Sequence, residues 1–279
     1  MTLLEAIILG LVQGLTEFLP ISSSGHLVLA KEILGVSTQM DTHIGITFEV
    51  FVHFGTLLAI GTIFWNDILK LIKAFFSIFP ILFSDQKFET RYCNNSYFRM
   101  MILIIAGSLP AGIIGLLLED TIEEAFNNPV LVCIMLLLTG GILIASKFFL
   151  NGQKQLNAST ALAIGFAQAV AIIPGISRSG STICTGLMMG LEREESARFS
   201  FLLAVPVIAM ATILKLSDLI ATPPDATTII NLIVGTIVAY IAGYIAIKIL
   251  LAVVRRGRLD RFAYYCFAAS IIGLIILLF

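Results

Sequence analysis

Apolar residues run in long stretches along this chain, and short polar runs separate them. Six stretches approach the roughly 20 residues a helix needs to cross a bilayer: 44–64, 98–118, 129–150, 197–219, 226–252 and 261–279. Residues 66–84 read differently. Asp67, Lys70 and Lys73 share one side of an otherwise apolar helix, the signature of an interfacial element. Two regions remain, 2–36 and 157–190. Each holds an apolar helix of about 17 residues, a polar break and a short second helix. Neither second helix is long enough to cross, so both regions are expected to enter and leave the membrane on one side. Irregular backbone at that depth needs protein or a wet cavity around it. The alternative has each region crossing fully, which gives seven or eight spans.

The two breaks are copies of one another. Residues 10–26 align with 165–181 at a constant offset of 155, without gaps. Six of these 17 positions are identical: Gly10/Gly165, Gln13/Gln168, Ile21/Ile176, Ser22/Ser177, Ser24/Ser179 and Gly25/Gly180. The pattern predicts an all-α polytopic membrane protein, a single domain over 1–279 made of two repeats. Repeat one covers about 1–150 and repeat two about 157–279, each a re-entrant helical hairpin (2–36, 157–190) plus three transmembrane helices. Three is odd, so the second repeat must be inverted relative to the first.

Composition agrees. The chain is 58% hydrophobic and 13% charged, against about 25% charged in soluble domains. Charge placement adds an orientation. One set of loops holds 13 of the 17 basic residues, Lys70, Lys73, Lys87, Arg91 and Arg99 among them. The opposite set (36–43, 119–128, 220–226) holds none, but carries Asp41, Glu119, Asp120, Glu123, Glu124 and Asp225. Positive loops stay in the cytoplasm, so both termini are expected outside. No basic n-region or small-residue cleavage site marks a signal peptide at the start. The four cysteines, Cys93, Cys133, Cys184 and Cys266, show no metal or redox spacing and read as apolar filler.

Polar residues inside the apolar zone are the candidates for chemistry. Glu17 ends the first hairpin helix, with Gln13 one turn earlier on the same face. Glu49 sits in Thr47-Phe48-Glu49-Val50, where the bland reading is a carboxylate at the membrane surface. Ser22, Ser23, Ser24 and Gly25 lead into a helix N-terminus. Hydroxyls and free N–H groups there either cap the helix or hold an anion. His26 follows at once, and phosphatases use histidine as nucleophile or general acid/base. His43 and His53 have no such context and read as ordinary polar residues. In the second copy, Arg178 offers a fork that matches two phosphate oxygens. Its bland role is a structural partner for Glu17. Gly175 and Gly180 let the backbone turn tightly, and Ser177, Ser179 and Thr182 add hydroxyls. Two positive helix ends thus converge on a phosphate. Carboxylates repel phosphate unless a cation bridges them. A divalent ion, Mg²⁺ or Ca²⁺, is therefore expected on Glu17 and Glu49, with Gln13 as a further ligand.

Gln13-x-x-x-Glu17, the run Pro20 to His26, Thr47 to Val50, and Pro174-Gly175-Ile176-Ser177-Arg178-Ser179-Gly180-Ser181-Thr182 together resemble the undecaprenyl-diphosphate phosphatase family, the bacitracin resistance proteins. The family's (E/Q)-x-x-x-E motif falls on Gln13 and Glu17, its Pro-Gly-x-Ser-Arg-Ser motif on Pro174 to Ser179, and its motif histidine on His26. The resemblance implies hydrolysis of undecaprenyl diphosphate to undecaprenyl phosphate and inorganic phosphate. It implies recycling of the carrier for peptidoglycan and other envelope glycans, bacitracin resistance and a divalent-cation requirement. It also implies an inverted-repeat protein of the bacterial plasma membrane with its site open to the outer, periplasmic face. The expected partner is a polyprenyl diphosphate lipid, with a homodimer as one possible state and no nucleic acid. A transporter or flippase for a phosphorylated lipid or anion is the competing reading, because inverted repeats with broken helices are typical of transporters. The nucleophile stays open among Ser23, Ser177, His26 and metal-bound water.

Overall fold

The computed structural model describes residues 1–35, 42–78, 88–149, 152–221 and 225–278. Asp41, Lys87 and the ends of several expected segments (36, 79–84, Leu150, Phe279) lie outside the described residues. So do the side chains of His43, Glu119 and Glu123.

Helix starts follow local capping chemistry. Thr2 and Glu5 form a capping box for α1 (Leu3–Phe18). Ser22 caps α2 (Ser23–Ile33). After α3 (Thr42–Ile63) the chain turns by 93° at Phe64 into α4 (Trp65–Phe76). This matches a span followed by an interfacial helix. A short α5 (Phe88–Asn94) leads to Asn95, which caps α6 (Ser96–Leu117). Then come α7 (Glu119–Phe126) and α8 (Pro129–Ala145), the latter capped by Asn128 with proline in its first turn. Asn157 caps α9 (Ala158–Val170) and Ser177 caps α10 (Arg178–Met188). They precede α11 (Arg193–Ala221), α12 (Ala226–Arg255, capped by Asp225) and α13 (Arg261–Leu278).

The protein is all-helical. Among the described residues the one β pairing is an isolated bridge, Lys154 to Leu191. Among the described residues five helical segments are long and apolar enough to cross a bilayer, and α3 with α4 makes a sixth if counted as one bent span. The helices before the breaks are short. At 1.5 Å per residue, α1 and α9 reach only about 24 and 20 Å, against a hydrocarbon core of about 30 Å.

Packing exchanges partners between the halves. The first break's helix α1 lies on α12, and the second's α9 lies on α6. Small residues allow both approaches. A Cβ on Gly10 would come within 2.6 Å of the Gly235 carbonyl oxygen, and one on Gly165 would overlap the Gly107 carbonyl. The core under the site is apolar: Phe18 meets Phe201 edge-on at 5.7 Å, among Ile60, Ile183 and Leu250. On the basic-loop side Arg198 holds Asp67 at 2.6 Å, and Tyr97 donates to the same carboxylate at 2.9 Å. That cluster ties α4, α6 and α11 together.

Candidate active site

The two breaks meet back to back. A Cβ on Gly25 would sit 3.1 Å from Gly175 Cα, and one on Gly180 would sit 3.3 Å from Pro20 Cβ. Ser179 Oγ donates across the junction to the Leu19 carbonyl at 3.3 Å. The two helix starts are built alike. Ser22 Oγ accepts from Gly25 N–H at 3.3 Å, and Ser177 Oγ from Gly180 N–H at 3.0 Å. Each cap also faces the hydroxyl two residues on, Ser24 at 3.2 Å and Ser179 at 3.3 Å. The backbone differs. Ser22 carries φ of 69°, a left-handed conformation that disfavours a side chain and costs about 1–3 kcal/mol. In the second break Gly175 takes the positive φ, 95°, at no such cost. Thr139 from α8 braces that turn: its Oγ1 donates to the Gly175 carbonyl (2.8 Å) and accepts from Ser177 N–H (3.0 Å).

Glu17 is the hub. It is buried, and one carboxylate oxygen is ion-paired to Arg178 Nη2. The other accepts from Ser23 Oγ at 2.6 Å and from Gln13 Nε2 at 2.9 Å, with His53 Nε2 at 3.5 Å. His53 Nδ1 donates to the Glu49 carbonyl at 2.7 Å, which turns Nε2 toward Glu17. The Glu49 carboxylate is ion-paired to Lys31 of α2. Glu17, Ser22, Ser23, Ser24, Glu49, His53, Gln168, Ser177 and Arg178 all line one cavity of about 420 Å³. Its remaining wall is mostly apolar, with Gly112, Gly115, Ala171 and Ala204 beside the larger Phe126 and Ile172.

Other expected residues sit behind this wall. Gly25, Gly175 and Gly180 make the backbone junction. Thr182 is buried, its hydroxyl 2.6 Å from Ser200 of α11 and bonded to the Arg178 carbonyl. His26 turns away from Glu17. Its Nδ1 donates to the Ser22 carbonyl at 2.7 Å, and its Nε2 accepts from Tyr265 of α13 at 2.8 Å, the rings stacked 5.5 Å apart. His53, read from sequence as an ordinary polar residue, is instead on the cavity wall. A signal was available: it lies four residues after Glu49, on the same face of one apolar helix. Thr139 and Lys31 carried no local signal.

Three buried polar atoms at the site have no protein partner: Gln13 Oε1, Gln168 Nε2 and Arg178 Nη1. Two are donors that meet the cavity on residues lining it, the arrangement an anion needs. For a cation the donor set is oxygen. No group of three or more His, Cys, Asp or Glu side chains that could hold a metal occurs among the described residues. An Mg²⁺ site needs no such cage, because Mg²⁺ keeps waters and binds through one or two carboxylates plus substrate phosphate. Glu17 and Glu49 on one cavity, with the orphan Gln13 oxygen beside Glu17, fit that type of site.

Known proteins supply the remaining comparison. The family model described as bacitracin resistance protein BacA matches residues 6–272. An undecaprenyl-diphosphatase of Halothermothrix orenii is 44% identical over 99% of this chain and 98% of its own. One from Methanosphaera stadtmanae is 43% identical over 98% of each chain. One from Salinibacter ruber is 41% identical over 98% of this chain and 99% of its own. On this whole-length match the chain belongs to the bacitracin resistance protein BacA family.

Proposed function

We infer that the protein hydrolyses undecaprenyl diphosphate to undecaprenyl phosphate and inorganic phosphate. Its relatives bear that activity in their names over the full chain length. The reaction recycles the carrier for envelope glycans and lowers the diphosphate pool that bacitracin targets. One observation carries the chemistry. Arg178, half-buried and with an unpartnered Nη1, lines the same cavity as a serine hydroxyl bonded to a carboxylate. Its Nη2 holds Glu17, and Nη1 is the donor left over for a phosphate oxygen. Gln168 Nε2 and the N-termini of α2 and α10 add donors around the same volume.

Of the hydroxyl and imidazole candidates, Ser23 is best placed for attack. Ser177 Oγ is committed to its cap, and both His26 nitrogens are engaged outside the cavity. The Ser23 hydroxyl bonds to the terminal phosphorus and passes its proton to Glu17. The P–O bond to the bridging oxygen breaks, and undecaprenyl phosphate leaves with the electron pair. Glu17 gives that proton to the leaving phosphate, then takes one from the water that attacks the phosphoserine and returns it to Ser23 Oγ as inorganic phosphate leaves. Arg178 stabilises charge on the transferring phosphoryl group. A divalent ion on Glu17 and Glu49 would neutralise the diphosphate and offset its repulsion from the carboxylates.

The inverted repeat and the outward-facing site belong to the same reading. Support comes from the exchanged packing of α1 on α12 and α9 on α6. It also comes from Phe126, which brings the acidic, Lys/Arg-free segment to the cavity wall. The test is phosphate release by detergent-purified protein given undecaprenyl diphosphate and Mg²⁺, where transport has no meaning. Release that EDTA abolishes is expected. No release with metal present overturns the activity, and full release in EDTA removes the metal. Cysteines at Ser23 and Ser177, in a background without native cysteines, should both react slowly with an impermeant reagent outside intact cells. Labelling at position 177 from the cytoplasm alone would overturn the shared outer site.

A further inference from the structure

Beside the candidate cavity lies a second, almost wholly apolar groove. This groove, of about 650 Å³, runs between α4, α6 and α11. Ser108 is the one polar residue on its walls, and its hydroxyl is spent on the Ile104 carbonyl at 2.8 Å. Its far end is formed by the apolar side of α4, Leu71, Phe75 and Phe76 among others, beyond the 93° turn. Gly112 lines both the groove and the cavity. Helices α6 and α11 touch at Gly107, where a Cβ would lie 3.1 Å from Leu203 Cδ1. Five residues on, a Cβ at Gly112 would meet nothing within 4 Å, and the residue is exposed. A gap is therefore held open beside the site by the absence of a side chain.

We propose that this groove seats the first prenyl units of the substrate's chain, admitted over Gly112 while the diphosphate occupies the cavity. The proposal rests on the hydrolysis reading above. Three features choose the occupant. The groove shares Gly112 with the headgroup site, which places the two side by side as one amphipathic molecule requires. It offers no charge or free hydrogen-bonding group to anything polar. It also runs along α6 from the level of the cavity to α4, a path for a flexible chain in the membrane. Burying even one prenyl unit changes affinity by more than about tenfold, so the groove sets a chain-length preference.

The experiment compares phosphate release from undecaprenyl diphosphate and from a short prenyl diphosphate, using the full chain in detergent. Gly112→Leu narrows the gap, and Ile105→Trp, within the groove alone, fills it from a different point. Thermal unfolding of each variant checks folding. The ratio of kcat/KM for the long over the short substrate should fall by about tenfold or more in both variants, chiefly through KM. An unchanged ratio, with either both rates intact or both equally reduced, overturns the groove assignment and leaves the hydrolysis reading standing. Failure of the unsubstituted protein on both substrates sinks the hydrolysis reading itself. Native mass spectrometry covers the competing occupant. Loss of bound phospholipid in the variants with no change in chain-length ratio would make the groove a site for bilayer lipid and overturn the proposal.

Discussion

The two polar breaks share six of 17 aligned residues yet present different groups to the cavity. Both cap a helix with serine, pair that serine with the hydroxyl two residues on, and follow with glycine. They part at two positions. Glu17 in the first copy corresponds to Ile172 in the second, and Ser23 corresponds to Arg178. One copy supplies the carboxylate and a hydroxyl, the other the guanidinium, and both Ser23 and Arg178 bond the same Glu17. Neither break is a site alone. The shared pattern provides two positive helix ends, and the positions that differ place unlike groups where those ends meet.

The backbones differ in the same sense. The first break holds its turn with a non-glycine residue at positive φ and leaves Ser22, Ser23 and Ser24 on the cavity. The second uses Gly175, is braced by Thr139, and contributes Ile176, Ser177 and Arg178 from its run. The first is a strained working surface, the second a rigid mount for one cation.

Substitutions can break this contrast. The largest effect is expected at Arg178→Lys, which keeps the charge but loses the planar fork. Phosphate release should fall by about 10²–10³ with thermal stability nearly kept. Near-normal turnover would remove the arginine from the chemistry. Next comes Gly175→Ala. Its Cβ would enter a left-handed turn and strike the Val132 carbonyl, and unfolding in detergent should show a loss of at least about 2 kcal/mol. Thr139→Val tests the brace. It strands a buried N–H and a buried carbonyl, so about 1–3 kcal/mol should be lost. The same denaturation series reads it, and an unchanged midpoint would show that the turn holds itself.

The smallest effect in stability belongs to Ser22→Gly. Losing the cap costs a few tenths of a kcal/mol, while relief of the positive φ returns about 1 kcal/mol or more. Stability should therefore stay level or rise slightly as activity falls. A marked loss of stability would show that Ser22 is structural and that the two breaks are not divided as described.

Much of this architecture was legible in the sequence because its causes are local. A bilayer sets the length of an apolar helix, so the spans showed as runs. Capping depends on residues within one turn, so the Ser22 to Gly25 run marked its helix start. The second break could be found because it copies the first, and Arg178 and Glu17 stood out because charge within an apolar run is costly. What tertiary structure decided is which faces meet. His53 reaches Glu17 only because α3 packs beside α1. His26, adjacent in sequence to the serine run, is drawn off by Tyr265, 239 residues away. Thr139 comes from a span with no other polar role at the site. The rotation and register behind these contacts rest on close approach at Gly10 and Gly235, and at Gly165 and Gly107. In one dimension a glycine looks the same whether it lies against another helix or, as at Gly112, leaves a space open.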